Sequence, residues 1–200
     1  MSKITDPDNQ VIAISTCNVG VGPGGSTSML ARVAIVDYRG QVVFDTFVAP
    51  TSPTEVADYR SASTGIKPED LQHAPSFVAV QAQVAHIIQN RILVGHSLWN
   101  DLSVLGIPHP AVNTRDVALY QPFRNALRVQ GAGPNQTIGL KTLMWHFMRR
   151  RCGDQYIDPL ENARAAMDLY RSGSQEWEVA VNGSQWPCAL PPSTFSRCYT

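Results

Sequence analysis

The stretch "VIAISTCNVGVGPGG", residues 11–25, decides how the chain is read. Its first half is a β-rich apolar run, the pattern of a buried strand. Its second half carries Gly20, Gly22 and Gly25 in the spacing G-x-G-x-x-G. That spacing marks a dinucleotide site only between a strand and a helix N-terminus, whose amides hold the pyrophosphate. Here the glycines precede "STSMLARVAIV", residues 26–36, which reads as another strand. With no helix to receive a phosphate, the glycines read as a flexible turn of a β-meander.

Outward from that turn, "MLARVAIVDYRGQVVFDTFVAP" (29–50) reads as two strands joined at Arg39-Gly40, and the proline-containing segment 50–75 as a long connection. Ser76 can cap a helix through "FVAVQAQVAHIIQN", whose apolar residues recur at three and four. "RILVGH" follows as a short buried strand, "SLWNDLSVLG" as a helix ended by Gly106 and Pro108, and "TRDVALY" as a further strand. A loop, "QPFRNALRVQGAGPNQ", leads to an expected helix "TIGLKTLMWHFMRRR". The next helix, "DPLENARAAMDLYRSG", has Asp158 at the N-cap, Pro159 in the first turn, Glu161 at the capping-box position and Gly173 near its exit. The tail from Ser174 reads as irregular surface chain, with Trp177 a packing candidate. The expected division is an N-terminal tail (1–10), one domain (11–178) and a C-terminal tail (179–200). A three-strand meander followed by alternating helix and strand is an α/β domain with a mixed sheet flanked by helices.

The bulk numbers bound the function. The 200 residues suffice for one compact core, and the formal net charge of zero speaks weakly against a polyanion as main partner. Between residues 115 and 151, however, lie Arg115, Arg124, Arg128, Lys141, Arg149, Arg150 and Arg151, with Asp116 as the one acid. This strip reads either as a solvated face or as a route for nucleic-acid phosphates. No apolar run is long enough for a bilayer and "MSKITDPDNQ" has no apolar core, so neither a membrane nor a secretory signal is expected. An intracellular place, cytoplasmic or nuclear, follows. Cys17, Cys152, Cys188 and Cys198 form no C-x-x-C pair, which suggests neither a zinc site nor a redox motif; Cys188 and Cys198 read as a pair or as free thiols.

Five segments carry a resemblance: "VGVGPGGSTSMLARVAIVDYRGQVVFDTFVAP", "DYRSASTGIKPEDLQHAPSF", "ILVGHSLWNDLSVLGIPHP", "TRDVALY" and "DPLENARAAMDLYR". In this order they resemble the DEDDh 3'-5' exonucleases of the RNA exonuclease 4 and interferon-stimulated exonuclease group, over roughly residues 11–178. The resemblance implies a ribonuclease H-like α/β fold. It also implies a D-x-E pair on the first strand, an aspartate after GH-x-x-x-N, and an H-x-x-x-x-D motif that together hold magnesium or manganese and a general base. The D-x-E positions are Ser15 and Cys17, and the H-x-x-x-x-D positions are Ile157 and Asn162; Asp101 alone keeps the family's residue.

Two divalent ions held a few ångströms apart need anionic oxygens around them. Asp101 supplies one negative charge, Cys17 is a soft ligand, and Ile157 cannot take a proton from water. The sequence therefore leads to the expectation of no metal, no cofactor and no nuclease chemistry. In that reading the former active-site cleft takes a small organic ligand, with Asp101 as acid or base in a metal-independent isomerase, cyclase or lyase. Its alternative is a non-cleaving protein that binds single-stranded nucleic acid or a protein partner. His96 and Asn100 are cleft-lining candidates whose plainer reading is structural.

Overall fold

The computed structural model describes residues 7–51, 55–128 and 137–200. Residues 1–6 of the expected N-terminal tail and positions 129–136 of the expected loop lie outside the described residues. A single turn, α1 (Pro7–Gln10), leads into β1 (Val11–Val21); β2 (Thr27–Asp37), β3 (Val42–Phe47), β4 (Val56–Asp58), β5 (Ile92–Gly95) and β6 (Thr114–Asp116) complete one sheet. Its order is β3-β2-β1-β5-β6, with β4 paired to β1. β1 to β3 form the antiparallel meander, while β5 and β6 run parallel to β1, so the sheet is mixed.

The turn between β1 and β2 answers the glycine question. A side chain at Gly20 would put Cβ 2.6 Å from the Gly25 carbonyl oxygen, and Gly25, at φ 69°, would place one 2.9 Å from Asp58 Cβ. Bare backbone is what lets the hairpin close against β4. The turn is packed rather than flexible.

Short helices α2 (Ser61–Thr64) and α3 (Pro68–Gln72) precede α4 (Phe77–Ile88), which Ser76 caps by accepting a hydrogen bond from the Ala79 amide. After β5 comes α5 (Leu98–Leu105), then α6 (Gln121–Ala126), α7 (Leu140–Leu143) and α8 (Pro159–Asn182). Alternation along β1 sends Ile12 and Ile14 toward α4 and α5, and Val11 and Ala13 toward α8. Each fully buried aliphatic in these two layers contributes about 1.5–3 kcal/mol.

Three expectations change. The helix through 137–151 is a short α7 that widens into a π-turn over Met144–Met148 and ends with Arg149 in left-handed backbone. α8 does not leave at Gly173 but continues to Asn182. Gly173 instead approaches the Tyr120 ring, which stacks on Trp177 at 3.9 Å between centroids. The C-terminal segment folds back as well. The Ala189 amide donates to Leu119, the His109 amide to Cys198, and Cys198 is buried. All four cysteines are free.

Candidate active site

The site grows from a gap along β1. β5 covers Val11–Ala13 and β4 covers Gly20–Val21, so among the described residues the strand's edge between them has no strand partner. α5 fills the gap with Asp101. One carboxylate oxygen, Oδ1, accepts from the Thr16 amide at 2.8 Å and from the Thr16 hydroxyl at 2.7 Å. Burial pushes the carboxyl up to about 7, against the lowering effect of the Thr16 hydrogen bonds, and the Asp116 charge adds to the rise. Asp116, which the sequence did not single out, anchors the start of α5: its carboxylate accepts from the amides of Ser97, Leu98 and Ala118 at 2.8–3.0 Å.

Asp101 was expected to face an open cleft. It is buried instead, and its partner Thr16 alternates to the opposite side of β1 from Ser15 and Cys17. The cleft lies on that other side. It measures about 230 Å³ and is walled by Cys17, Arg32, Phe47, Ile66, Tyr156 and Ile157. Cys17 and Ile157 meet at its wall, the thiol donating to the Ile157 carbonyl at 3.8 Å. Burial holds the thiol up at about 11, so it is neither a nucleophile nor a thiolate ligand near neutrality. Ser15 and Asn162 are half-buried, and neither lines the cleft.

Arg32, opposite Cys17 in the β1–β2 register, makes a two-pronged pair with Asp45 at 2.8–2.9 Å and lies 3.3 Å from Asp158. Asp158 caps α8 through the Leu160 amide, as expected. Glu161 does not close a capping box. It accepts from the Gly153 amide at 2.9 Å and ties the incoming loop to the helix. That loop forms the cleft's outer wall: the Ile157 amide donates to Ser63 at 2.7 Å and Tyr156 packs on Gly65. The His96 ring bonds the Ile138 carbonyl at 2.7 Å, and Asn100 is exposed on α5.

The donor set does not fit a pair of divalent ions. Among the described residues no three His, Cys, Asp or Glu side chains gather to hold a metal, and the one retained family carboxylate is committed to Thr16. The basic strip is also not one surface. Arg115 is buried in a two-pronged pair with Glu178 at 2.7–2.8 Å, Arg124 is buried, and Arg150 pairs with Asp168. Burial removes the first two from any encounter with phosphates.

This mixed sheet between helices is the ribonuclease H-like exonuclease fold. Pan2 nuclease modules share it: one from Neurospora crassa matches at TM-score 0.69 with 21% identity over 92% of this chain and 30% of its own. One from Saccharomyces cerevisiae, solved with AAGGAA RNA, matches at 0.71 with 22% identity over 92% of this chain and 33% of its own. The model of the family described as Exonuclease matches residues 16–121. RNA exonuclease 4 of Mus musculus is 40% identical over 182 residues, 91% of this chain and 40% of its own length. RNA exonuclease 4 of Homo sapiens is 40% identical over 169 residues, 84% of this chain and 38% of its own. The chain belongs to the exonuclease family, and it spans about 40% of the length of the curated relatives it matches.

These relatives correct the expected function. A cleft repurposed for a small organic ligand, metal-independent acid/base chemistry and the alternative of a non-cleaving binder all lack a counterpart among them. The relatives matched over most of this chain, at 38–41% identity, are RNA exonucleases. Substitutions at four positions, Ser15, Cys17, Ile157 and Asn162, stand against identity spread over most of the chain. No helix among the described residues is long and apolar enough to cross a membrane.

Proposed function

We propose that this chain acts on single-stranded RNA as a member of the RNA exonuclease group, taking the 3' end into the cleft lined by Phe47, Ile66 and Tyr156 beside Cys17 and Ile157. The 40% identity to RNA exonuclease 4 across 91% of the chain carries this reading. The shape of the cleft supports it. Phe47, Ile66 and Tyr156 offer one ring face, one apolar side chain and a second ring to an unstacked terminal base. Arg32 adds a cation 5.3 Å from the Phe47 ring centre. Asp101 contributes from behind: by satisfying Thr16 it holds the strand that forms the cleft floor. Phosphates beyond the cleft fall to the exposed cations Arg128, Lys141, Arg149 and Arg151 rather than to Arg115 or Arg124. Four free thiols suit a reducing, intracellular place of action.

Incubating the full chain with 5'-labelled single-stranded RNA, with and without an added divalent metal, tests the reading. The expected result is salt-sensitive binding with products shortened from the 3' end. RNA that keeps its full length, bound or not, overturns it.

A further inference from the structure

We propose a second RNA contact outside the cleft, built on the π-turn: an unstacked base lies on Trp145 while phosphates pass Arg149 and Arg151. This inference rests on the RNA reading above and deepens it. Trp145 is 54% exposed, a large ring left facing solvent. The turn that presents it is wide rather than α-helical, a local departure found frequently at functional sites. The turn is anchored from beneath by Phe147, whose ring lies 4.3 Å from that of Phe123.

Arg149 is the second observation. It occupies the helix exit at φ 51°, ψ 30°, left-handed backbone that glycine adopts freely and an L side chain does not. Neither Arg149 nor Arg151 has a side-chain partner among the described residues, whereas Arg150 between them is paired with Asp168. Arg149 thus holds left-handed backbone without a side-chain partner among the described residues, which leaves its guanidinium available to a ligand.

Charge selects that partner. Residues 137–153 contain no acid, while Lys141, Arg149, Arg150 and Arg151 are basic. The chain leaving the patch leads to the cleft wall. Lys141 donates to the Gly153 carbonyl at 2.6 Å, and from Arg151 at most about 18 Å of chain leads to Tyr156 at the cleft wall. That span matches a few nucleotides of extended RNA. Cations interleaved with an exposed ring are how single strands are held without sequence readout.

Fluorescence anisotropy of the full chain with labelled single-stranded RNA, across a salt series, tests the contact. Trp145→Ala is expected to weaken binding roughly tenfold. Arg149→Gly combined with Arg151→Ser is expected to lower the slope of log affinity against log salt by about 1.4. Arg149→Gly alone should weaken binding while the melting temperature holds or rises, an outcome that a purely structural arginine does not give. Wild-type chain that binds no RNA sinks the RNA reading itself. Wild-type chain that binds RNA while all three variants match it in affinity and salt slope overturns this inference and leaves that reading standing.

Discussion

Asp101 Oδ1 accepts both the amide and the hydroxyl of Thr16, at 2.8 and 2.7 Å, across the stretch of β1 that neither β4 nor β5 covers. A carboxylate thus does the work of a missing strand. An edge amide buried without a partner would cost about 1–3 kcal/mol, and here the side chain of a helix 85 residues away satisfies it.

That role sets a pH dependence. Burial raises the Asp101 carboxyl to about 7, against an unfolded value of about 4. The native state then holds a proton that the unfolded state has lost. This group's stabilisation is therefore complete below pH ~4 and is lost as pH rises toward ~7. Asp116, raised by burial too, slopes the same way. Asp101→Asn keeps an oxygen for Thr16 and removes the titration, so its denaturation midpoint should fall less than wild type's between pH 4 and 7. Asp101→Ala leaves Thr16 unpaired and should lose about 1–3 kcal/mol below pH ~4, a loss that shrinks as pH rises toward ~7.

The hairpin glycines should separate by cause. Gly24, at φ 62° with open space around it, should cost about 1 kcal/mol as Ala. Gly20→Ala drives Cβ to 2.6 Å from backbone oxygen, and Gly25→Ala adds a 2.9 Å contact to an unfavourable φ. Both should destabilise by more than Gly24→Ala in urea titrations. Equal losses at the three positions would refute packing as the reason for the spacing.

Arg115 should behave as core rather than as an RNA contact. Its guanidinium side chain is 3% exposed and paired with Glu178, which also accepts from the Tyr170 hydroxyl. Glu178→Ala strands a buried cation and should cost about 3–5 kcal/mol. Arg115→Ala should lower the melting temperature while leaving the salt slope of RNA binding unchanged.

Cys17 should resist alkylation. With its thiol at about 11 and 3% of its surface exposed, little thiolate exists at neutral pH and reagents have little access. Labelling by iodoacetamide, read by mass spectrometry, should appear at Cys17 only once the chain is unfolded.

Local chemistry made much of this legible. The β-rich apolar run of β1, the Arg39-Gly40 turn between β2 and β3, the Ser76 cap and the Asp158–Pro159 start of α8 each depend on residues a few positions apart, and each stands in the structure. Long-range geometry was not legible. The gap that turns Asp101 inward depends on where β4 and β5 stop along β1. Arg115 finds Glu178 63 residues away, and no spacing signals that. Gly173 looked like a helix exit because its ring partner, Tyr120, is distant in sequence. Function was misread for a related reason: substitutions at Ser15, Cys17, Ile157 and Asn162 are local and conspicuous, whereas relatedness is spread over the whole chain.

The central claim is that the cleft lined by Phe47, Ile66 and Tyr156 beside Cys17 and Ile157 receives an RNA 3' end. Restoring the family's residues together — Ser15→Asp, Cys17→Glu, Ile157→His and Asn162→Asp — tests it most directly. The variant, shown folded by its melting curve, should shorten 5'-labelled single-stranded RNA from the 3' end, stop when EDTA is added, and exceed the wild-type rate by ~100- to 10,000-fold. A folded variant that binds the same RNA and leaves its 3' end intact in magnesium and in manganese would contradict the account.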